Sequence, residues 1–171
     1  MEMEKKNLSC LLNNYSFVVP EIQREYVWGA KKNNHVLIQF LNDLNEKLAK
    51  GDANIGFLYS YRSGSEHYLI DGQQRYTTMI LLLHFLSKKE ECVSNDFVRQ
   101  MGPKDTIPAF SYRVRTYTES FLTQLLNSNA TNEKDVKDQK WFKKEYVTDT
   151  TIVSMLGALD VFSENIKHLE N

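Results

Sequence analysis

Apolar and polar residues alternate along the first half of the chain with two distinct periods, which together predict a mixed α/β fold. Leucines recur every three or four residues over 33–49, the spacing of one face of a helix, and Gly51 ends this stretch. Residues 55–62 and 67–71 instead read as two strands of a hairpin that turns around Ser63-Gly64-Ser65. A strongly apolar helix is then expected to run to about residue 87.

The second half of the chain is predicted to be mainly helical. Residues 90–108 are polar and contain Gly102-Pro103, which predicts a loop or a mobile insertion. An extended piece over 110–115 leads into a helix that stops before a break at 127–132. Beyond the break we expect a basic helix and then a last helix, whose apolar residues fall at helical spacing: Ile152, Met155, Leu159, Phe162, Ile166 and Leu169. This stripe is interpreted as core, and the alternative is a docking face for a further domain.

A polar segment joins the second predicted strand to the apolar helix that follows it, and it reads Asp71-Gly72-Gln73-Gln74-Arg75. Gly72 can adopt a backbone shape that a side chain would block. The free N–H groups of the next helical turn then lie beside Arg75, whose planar donor fork suits phosphate. Asp71 has two interpretations, a helix cap or a ligand of a cation that bridges phosphates. The junction therefore predicts a phosphate-bearing ligand, and the alternative is an ordinary turn into a capped helix.

A second polar cluster lies upstream, after a short β-branched run that ends at Pro20. Because proline has no N–H group, the chain leaves the sheet there, and Gln23 and Arg24 are expected on a loop. Tyr26 and Trp28 are interpreted as core anchors. For Arg24 the alternative to a site residue is a surface salt bridge.

The two clusters together resemble the N-terminal domain of the GmrSD-type, modification-dependent restriction endonucleases. The motifs that carry the resemblance are Pro20-x-x-Gln23-Arg24-x-Tyr26-x-Trp28 and Asp71-Gly72-Gln73-Gln74-Arg75-x-Thr77-Thr78. The resemblance covers roughly residues 8–126 and implies a ParB/sulfiredoxin-like α/β core. It also implies nucleoside triphosphate binding and hydrolysis at the second motif, and a role in the cleavage of foreign, usually modified, DNA.

The resemblance also assigns roles to individual residues. The implied catalytic residues are Asp71, Gln73, Gln74 and Arg75. The implied nucleotide-binding residues are Gln23, Arg24, Gly72, Arg75, Thr77 and Arg115. Arg113 is the alternative to Arg115, and the implied Mg²⁺ is held through Asp71. Asp43 resembles an acidic position of the family, with an exposed helix carboxylate as the alternative.

The predicted organisation is a nucleotide-binding core over 1–126 and a helical extension over 127–171, interpreted as the start of a region that continues in a longer protein. Related proteins usually carry a C-terminal nuclease domain with a His-Asn-His metal site. The four histidines here are scattered, with no pair at metal-ligand spacing. DNA cleavage is therefore expected to need a further domain or a partner subunit. The alternative function is a non-hydrolysing DNA-binding or partner-docking module of the same fold.

Charge restricts how the chain meets DNA. The formal net charge is −1, so any DNA contact requires a local basic patch. Lysines at spacings of three and four would form one stripe on a single helix: Lys134, Lys137, Lys140 and Lys144. Lys137, Lys140 and Lys144 are the predicted DNA contacts of this stripe. Acidic residues are interleaved with them, and the alternative is a solvated, salt-bridged helix.

Cysteine usage and hydropathy indicate an ordinary intracellular protein. Cys10 and Cys92 lie far apart and outside any motif, so both are expected to be reduced and structural. No cysteine occupies the loop at Asp71-Gly72, which argues against sulfiredoxin chemistry. The longest apolar run is far shorter than the roughly 20 residues of a membrane span, and no signal peptide is visible. We therefore expect a cytoplasmic location.

Overall fold

The computed structural model describes residues 4–89, 98–100 and 106–166, and at 98–100 and 106–107 it describes the backbone alone. The helices in these ranges are α1 Leu8–Asn14, α2 Asn34–Ala49, α3 Gln73–Ser87, α4 Thr116–Leu126, α5 Glu133–Lys137 and α6 Thr150–Asn165, with a 3₁₀ turn at Lys144–Thr148. Three predicted helices are confirmed. The helix predicted over 33–49 is α2, the apolar helix predicted to end near residue 87 is α3, and the helix predicted before the break at 127–132 is α4.

A four-stranded mixed sheet forms the centre of the fold, which confirms the α/β class. Its strands, in spatial order, are β2 Tyr59–Ser63, β3 Glu66–Asp71, β1 Phe17–Val19 and β6 Phe110–Tyr112. The short apolar strand β1 runs parallel to both β3 and β6, whereas β2 pairs antiparallel with β3 at the edge. Parallel neighbours place the ends of β1 and β3 at one edge, from which both polar motifs leave the sheet.

The predicted hairpin is present, but its first strand begins later than the sequence indicated. The strand starts at Tyr59, not at residue 55, and the register shifts between Tyr59 and Ser60. The prediction of a strand was wrong over 55–58, because the carbonyls of Ile55 and Phe57 accept hydrogen bonds from the side chain of Arg75. The turn itself contains Gly64 at φ +62°, a left-handed backbone angle that glycine adopts without strain.

The predicted loop over 90–108 was wrong in part. Two short strands, β4 Val98–Gln100 and β5 Thr106–Pro108, pair antiparallel there. Residues 90–97 and 101–105 lie outside the described residues, and so does Cys92. Cys10 lies in α1 and has a free thiol, as expected. None of the helices in the described ranges is long and apolar enough to cross a membrane.

The helix α6 packs into the same hydrophobic core as α3 and the sheet. Four members of its predicted stripe are buried, which confirms the core interpretation: Ile152, Met155, Leu159 and Phe162. Ile166 packs against this core and Leu169 lies outside the described residues. A Cβ built on Gly157 would lie 2.2 Å from the Gly29 carbonyl oxygen. The backbone of α6 therefore directly touches the end of the loop over residues 20–29 that carries the first polar motif, which we call the first motif loop.

The predicted single basic helix was wrong. The helix α5 ends at Lys137, and Lys144 begins the separate 3₁₀ turn. The chain turns between them because Trp141 packs inward, with its ring centroid 5.9 Å from that of Phe121. Lys137 pairs with Glu133 one turn earlier, as the salt-bridged alternative anticipated. The DNA contacts of Lys137, Lys140 and Lys144 stay a prediction, without the shared helix on which it was based.

Candidate functional site

The start of α3 is shaped by Gly72. Its backbone is left-handed, at φ +86°, and a Cβ there would lie 2.6 Å from Leu58 Cδ2 and 2.9 Å from the Phe57 carbonyl oxygen. Glycine is therefore required for both the dihedral angle and the space. Gly72 is itself the N-cap residue of α3. The exposed Asp71 belongs to β3 and does not cap the helix, so the capping interpretation of this carboxylate was wrong.

Three backbone N–H groups are open at the start of α3. The first hydrogen bond of the helix runs from the Tyr76 N–H to the Gly72 carbonyl, at 2.9 Å. Within the described part of the chain, the N–H groups of Gln73, Gln74 and Arg75 have no acceptor. Such groups carry the positive partial charge of the helix dipole, so the arrangement suits an anion.

The two polar motifs meet at this helix start. Gln73 Nε2 donates to Gln23 Oε1 at 3.2 Å, although 50 residues separate them in sequence. Gln73 is 5% exposed and Gln23 is half-buried on its loop. The resemblance assigns residues of both motifs to one nucleotide site, and this contact brings the two motifs together at Gln23.

Gln74 holds the first motif loop in place. Its Oε1 accepts from the Val27 N–H at 3.0 Å and its Nε2 donates to the Glu25 carbonyl at 2.8 Å. The side chain is 3% exposed, so both bonds form away from solvent. An amide with both ends engaged in this way positions the loop and is poorly placed to orient a water molecule.

Arg75 secures the opposite wall of the site. Its Nη1 and Nη2 each donate at 2.9 Å, to the carbonyls of Ile55 and Phe57. The loop carries Gly56 at φ +91°, where a Cβ would lie 1.9 Å from Nη1. The arginine thus uses two of its five donors on the loop, and three donors remain for a ligand.

Arg24 lies exposed on the first motif loop. Its backbone carbonyl accepts from the Tyr112 hydroxyl at 3.2 Å. Its guanidinium has neither an ion pair nor a hydrogen bond with any residue in the described ranges, so the surface salt bridge considered for it is not formed there. Tyr26, two residues further along the same loop, is buried, and its hydroxyl lies 3.0 Å from that of Thr78. The interpretation of Tyr26 as a core anchor is thereby confirmed.

Of the two arginines after β6, Arg115 is the one that reaches the first motif. Arg115 ion-pairs with Glu25 of the motif loop, and the Thr150 hydroxyl donates to the same carboxylate. Arg113 is instead engaged by Glu66 at 2.6 Å, and this contact lowers the pKa of the Glu66 carboxyl. The preference for Arg115 over Arg113 therefore agrees with the geometry.

Two further predicted residues occupy different surroundings. Thr77 is fully buried in α3, and its hydroxyl finds no partner in the ranges that the structure describes. Asp43 is exposed on α2, at the mouth of a cavity that Arg75 also lines. Among the described residues, no group of three or more His, Cys, Asp or Glu side chains is arranged to hold a metal ion.

Sequence reasoning missed the role of two groups at the site. Glu25 links the first motif loop to Arg115 and to the start of α6, although the motif specifies no residue type at its position. The segment 54–57 supplies carbonyl acceptors, which no side-chain pattern reveals. The available signal was Gly56, since a glycine two residues after an asparagine indicates a turn and not a strand interior.

These features define a class of protein: a mixed α/β domain in which two polar motifs meet at an open helix start. Comparison with known proteins identifies the family. The GmrSD restriction endonuclease N-terminal domain matches residues 8–170, and the chain belongs to this family. No curated protein matches the chain. The family makes the chain a component of a restriction system, which confirms the resemblance carried by the motifs; the ParB-like likeness stays a prediction.

Proposed function

We propose that this domain binds and hydrolyses a nucleoside triphosphate, and that it is the sensor part of a modification-dependent restriction system. The observation that carries the proposal is the contact between Gln23 and Gln73, which unites the two motifs beside open N–H groups. Clustered donors around one point stabilise the charge that develops on a transferring phosphoryl group. Family membership adds the restriction context.

In this proposal the phosphates lie at the start of α3. The N–H groups of Gln73, Gln74 and Arg75 bind phosphate oxygens, and the remaining donors of the Arg75 guanidinium assist them. The unpaired guanidinium of Arg24 closes the site from the first motif loop. Arg115 holds that loop in position through its ion pair with Glu25.

Water and metal have separate places in the proposal. Gln73 and Gln23 orient the attacking water, whereas Gln74 positions the loop through its two backbone bonds. Asp71 is exposed beside the helix start and is the carboxylate that fits Mg²⁺. A single carboxylate suits a Mg²⁺ ion that keeps several waters and shares phosphate oxygens. When bound, the ion would neutralise charge on the phosphates.

DNA and a nuclease domain or partner subunit belong to the complete system that the family implies. The proposed division of labour is nucleotide-dependent sensing in this domain and phosphodiester cleavage elsewhere. The competing function, a non-hydrolysing docking module, predicts nucleotide or phosphate binding without turnover.

The sharpest test is Arg24→Ala, because the guanidinium has no partner in the described structure whose loss would disturb the fold. We expect nucleoside triphosphate affinity to fall by about 1.5–3 kcal/mol, the scale of a charged hydrogen bond. The matched control is Arg62→Ala, an exposed arginine of β2 outside the site. Calorimetry and phosphate release, with Mg²⁺ present, measure affinity and turnover. Equal affinity of Arg24→Ala and the parent would contradict the assignment, and binding without turnover would support the docking module.

A further inference from the structure

A cavity of about 180 Å³ lies between α2 and the segment 54–57. The apolar part of its lining consists of Phe40, Leu44 and Ile55. The polar part consists of Asp43, Lys47, Asn54 and Arg75. Pockets that enclose a whole small-molecule ligand have volumes of roughly 300–1,000 Å³. This cavity therefore suits one part of a larger ligand, with the remainder outside it.

The walls of the cavity are held in place before any ligand arrives. Arg75 binds the carbonyls on either side of Gly56, and the Gly56 N–H donates to Asn54 Oδ1 at 2.8 Å. Phe40 packs against Trp28 of the first motif, with ring centroids 5.5 Å apart. A cavity with fixed walls loses little entropy on binding, as a specific subsite requires.

The cavity adjoins the open start of α3 through Arg75. The backbone N–H of Arg75 is one of the three open groups of the first turn, while its guanidinium forms part of the cavity wall. A ligand with phosphates at the helix start therefore has its next portion directed along this side chain. For a nucleotide, that portion is the sugar and the base.

We propose that this cavity is the base subsite of the nucleotide site, and that it selects guanine. The inference rests on the proposed function above. Phe40 and the aliphatic side chains offer flat apolar contact to a planar base. Asp43 supplies the selection, because its carboxylate is exposed at the cavity and has no partner among the described residues.

Donor and acceptor patterns favour guanine over the other bases. A carboxylate only accepts hydrogen bonds and can take two parallel N–H groups. Guanine presents a ring N–H beside an amino group, whereas adenine and cytosine place the amino group beside an unprotonated ring nitrogen, and uracil has one N–H between two carbonyls. The guanine carbonyl would then meet the Lys47 ammonium or the free amide hydrogens of Asn54.

The test uses the full chain with GTP, ATP, CTP, UTP and inorganic tripolyphosphate in calorimetric titrations. We expect GTP to bind most tightly, and Asp43→Asn to weaken GTP by about 10- to 100-fold, the equivalent of a charged hydrogen bond. Tripolyphosphate, which has no base, should bind the parent and Asp43→Asn equally. Xanthosine triphosphate should gain affinity for Asp43→Asn, because an amide pairs with adjacent N–H and carbonyl groups. The matched control is Asp52→Asn, an exposed aspartate outside the cavity.

The outcomes separate this inference from the proposed function. Equal binding of all four nucleotides and tripolyphosphate would overturn the base subsite and leave the phosphate site intact. A preference for another base that Asp43→Asn does not change would also overturn it. If none of the five ligands binds, the proposed function fails and the base subsite fails with it.

Discussion

The two longest buried helices of the core, α3 and α6, begin in opposite ways. At α6, Asp149 is buried and its Oδ1 accepts from the N–H groups of Thr151 and Ile152 at 2.9 and 3.1 Å. Its Oδ2 accepts from the Thr118 hydroxyl at 3.0 Å. At α3, the N-cap is Gly72, which has no side chain to offer, and three N–H groups stay open.

The contrast separates a structural helix start from one that is available to a ligand. Both helices pack into one core, so burial alone does not explain why only α6 is closed. Relative to a glycine N-cap, a capping side chain would have stabilised α3 by only about a few tenths of a kcal/mol. The cap is absent because Gly72 is required for the backbone angle and for the space, and the N–H groups left open lie beside a loop that brings in Gln23, an arrangement that suits an anion.

Removing the α6 cap should have the largest effect. Asp149→Ala deletes the acceptors for two N–H groups and leaves the buried Thr118 hydroxyl without its partner. We expect the free energy of unfolding to fall by about 2–4 kcal/mol, from loss of the cap and of a buried hydrogen bond. Urea denaturation measures this change.

Asp149→Asn is the control for that experiment, because asparagine keeps a capping oxygen. It should recover much of the lost stability. Neither substitution should change phosphate affinity at α3 in the folded protein. A large loss of tripolyphosphate affinity in Asp149→Asn would show that the two helix starts are not independent.

Adding one methyl group to the start of α3 should have the next largest effect. Gly72→Ala imposes a left-handed alanine and a contact with Leu58 and the Phe57 carbonyl. We expect a loss of about 1–3 kcal/mol in the free energy of unfolding, together with weaker tripolyphosphate binding as the first turn shifts.

Gly64→Ala isolates the dihedral contribution. Gly64 also has a positive φ, but a Cβ there meets nothing within 4 Å. It should cost less stability than Gly72→Ala and leave phosphate affinity unchanged. If the two variants lose equal stability and neither loses affinity, close packing at Gly72 has no part in the site.

Much of this site was predictable because its chemistry is local in sequence. Gly72 permits the left-handed turn that other residues avoid, and Pro20 ends its strand because it lacks an N–H group. The helix after Gly72 follows from its run of apolar residues. That Gln23 lies at the second motif was expected from the two motifs together, but its partner there, Gln73, was not predicted. The α/β class followed from the two periods of apolar residues, and the buried stripe of α6 from its spacing.

The unpredicted features depend on contacts between segments that are distant in sequence. The segment 55–58 has strand-like composition, but the Arg75 side chain donates hydrogen bonds to two of its carbonyls and holds it as a loop. The lysines near residue 140 have helical spacing, but the packing of the partly buried Trp141 against Phe121 ends that helix early. The link from Glu25 to Thr150 spans 125 residues. In each case a tertiary contact outweighed a local propensity.

The smallest predicted effect is a change of stability with pH. It arises because, among the described residues, a buried polar side chain of α3 lacks one hydrogen-bond partner that its counterpart at the start of α6 has. Asp149 has partners on both oxygens, whereas His84 of α3 bonds the Ala130 carbonyl through Nε2 and its Nδ1 has no partner in the described part of the chain. Burial lowers the pKa of His84. The unfolded chain, with an ordinary histidine pKa of about 6.5, therefore binds a proton in mildly acidic solution that the folded chain does not.

Stability should accordingly be fully present above about pH 6.5 and should fall as the pH drops from there toward the lowered pKa of His84, by at most about 1.4 kcal/mol per pH unit. His84→Gln removes this titration, and His35→Gln, at an exposed position of α2, is the matched control. Urea denaturation at several pH values between 5 and 8 measures the difference between parent and variant. That difference should shrink as the pH falls for His84→Gln, and His35→Gln reports the effect of replacing a histidine that is not buried. A constant difference for His84→Gln would mean that His84 takes up its proton equally well in the folded and unfolded chain, and that its burial has no electrostatic cost.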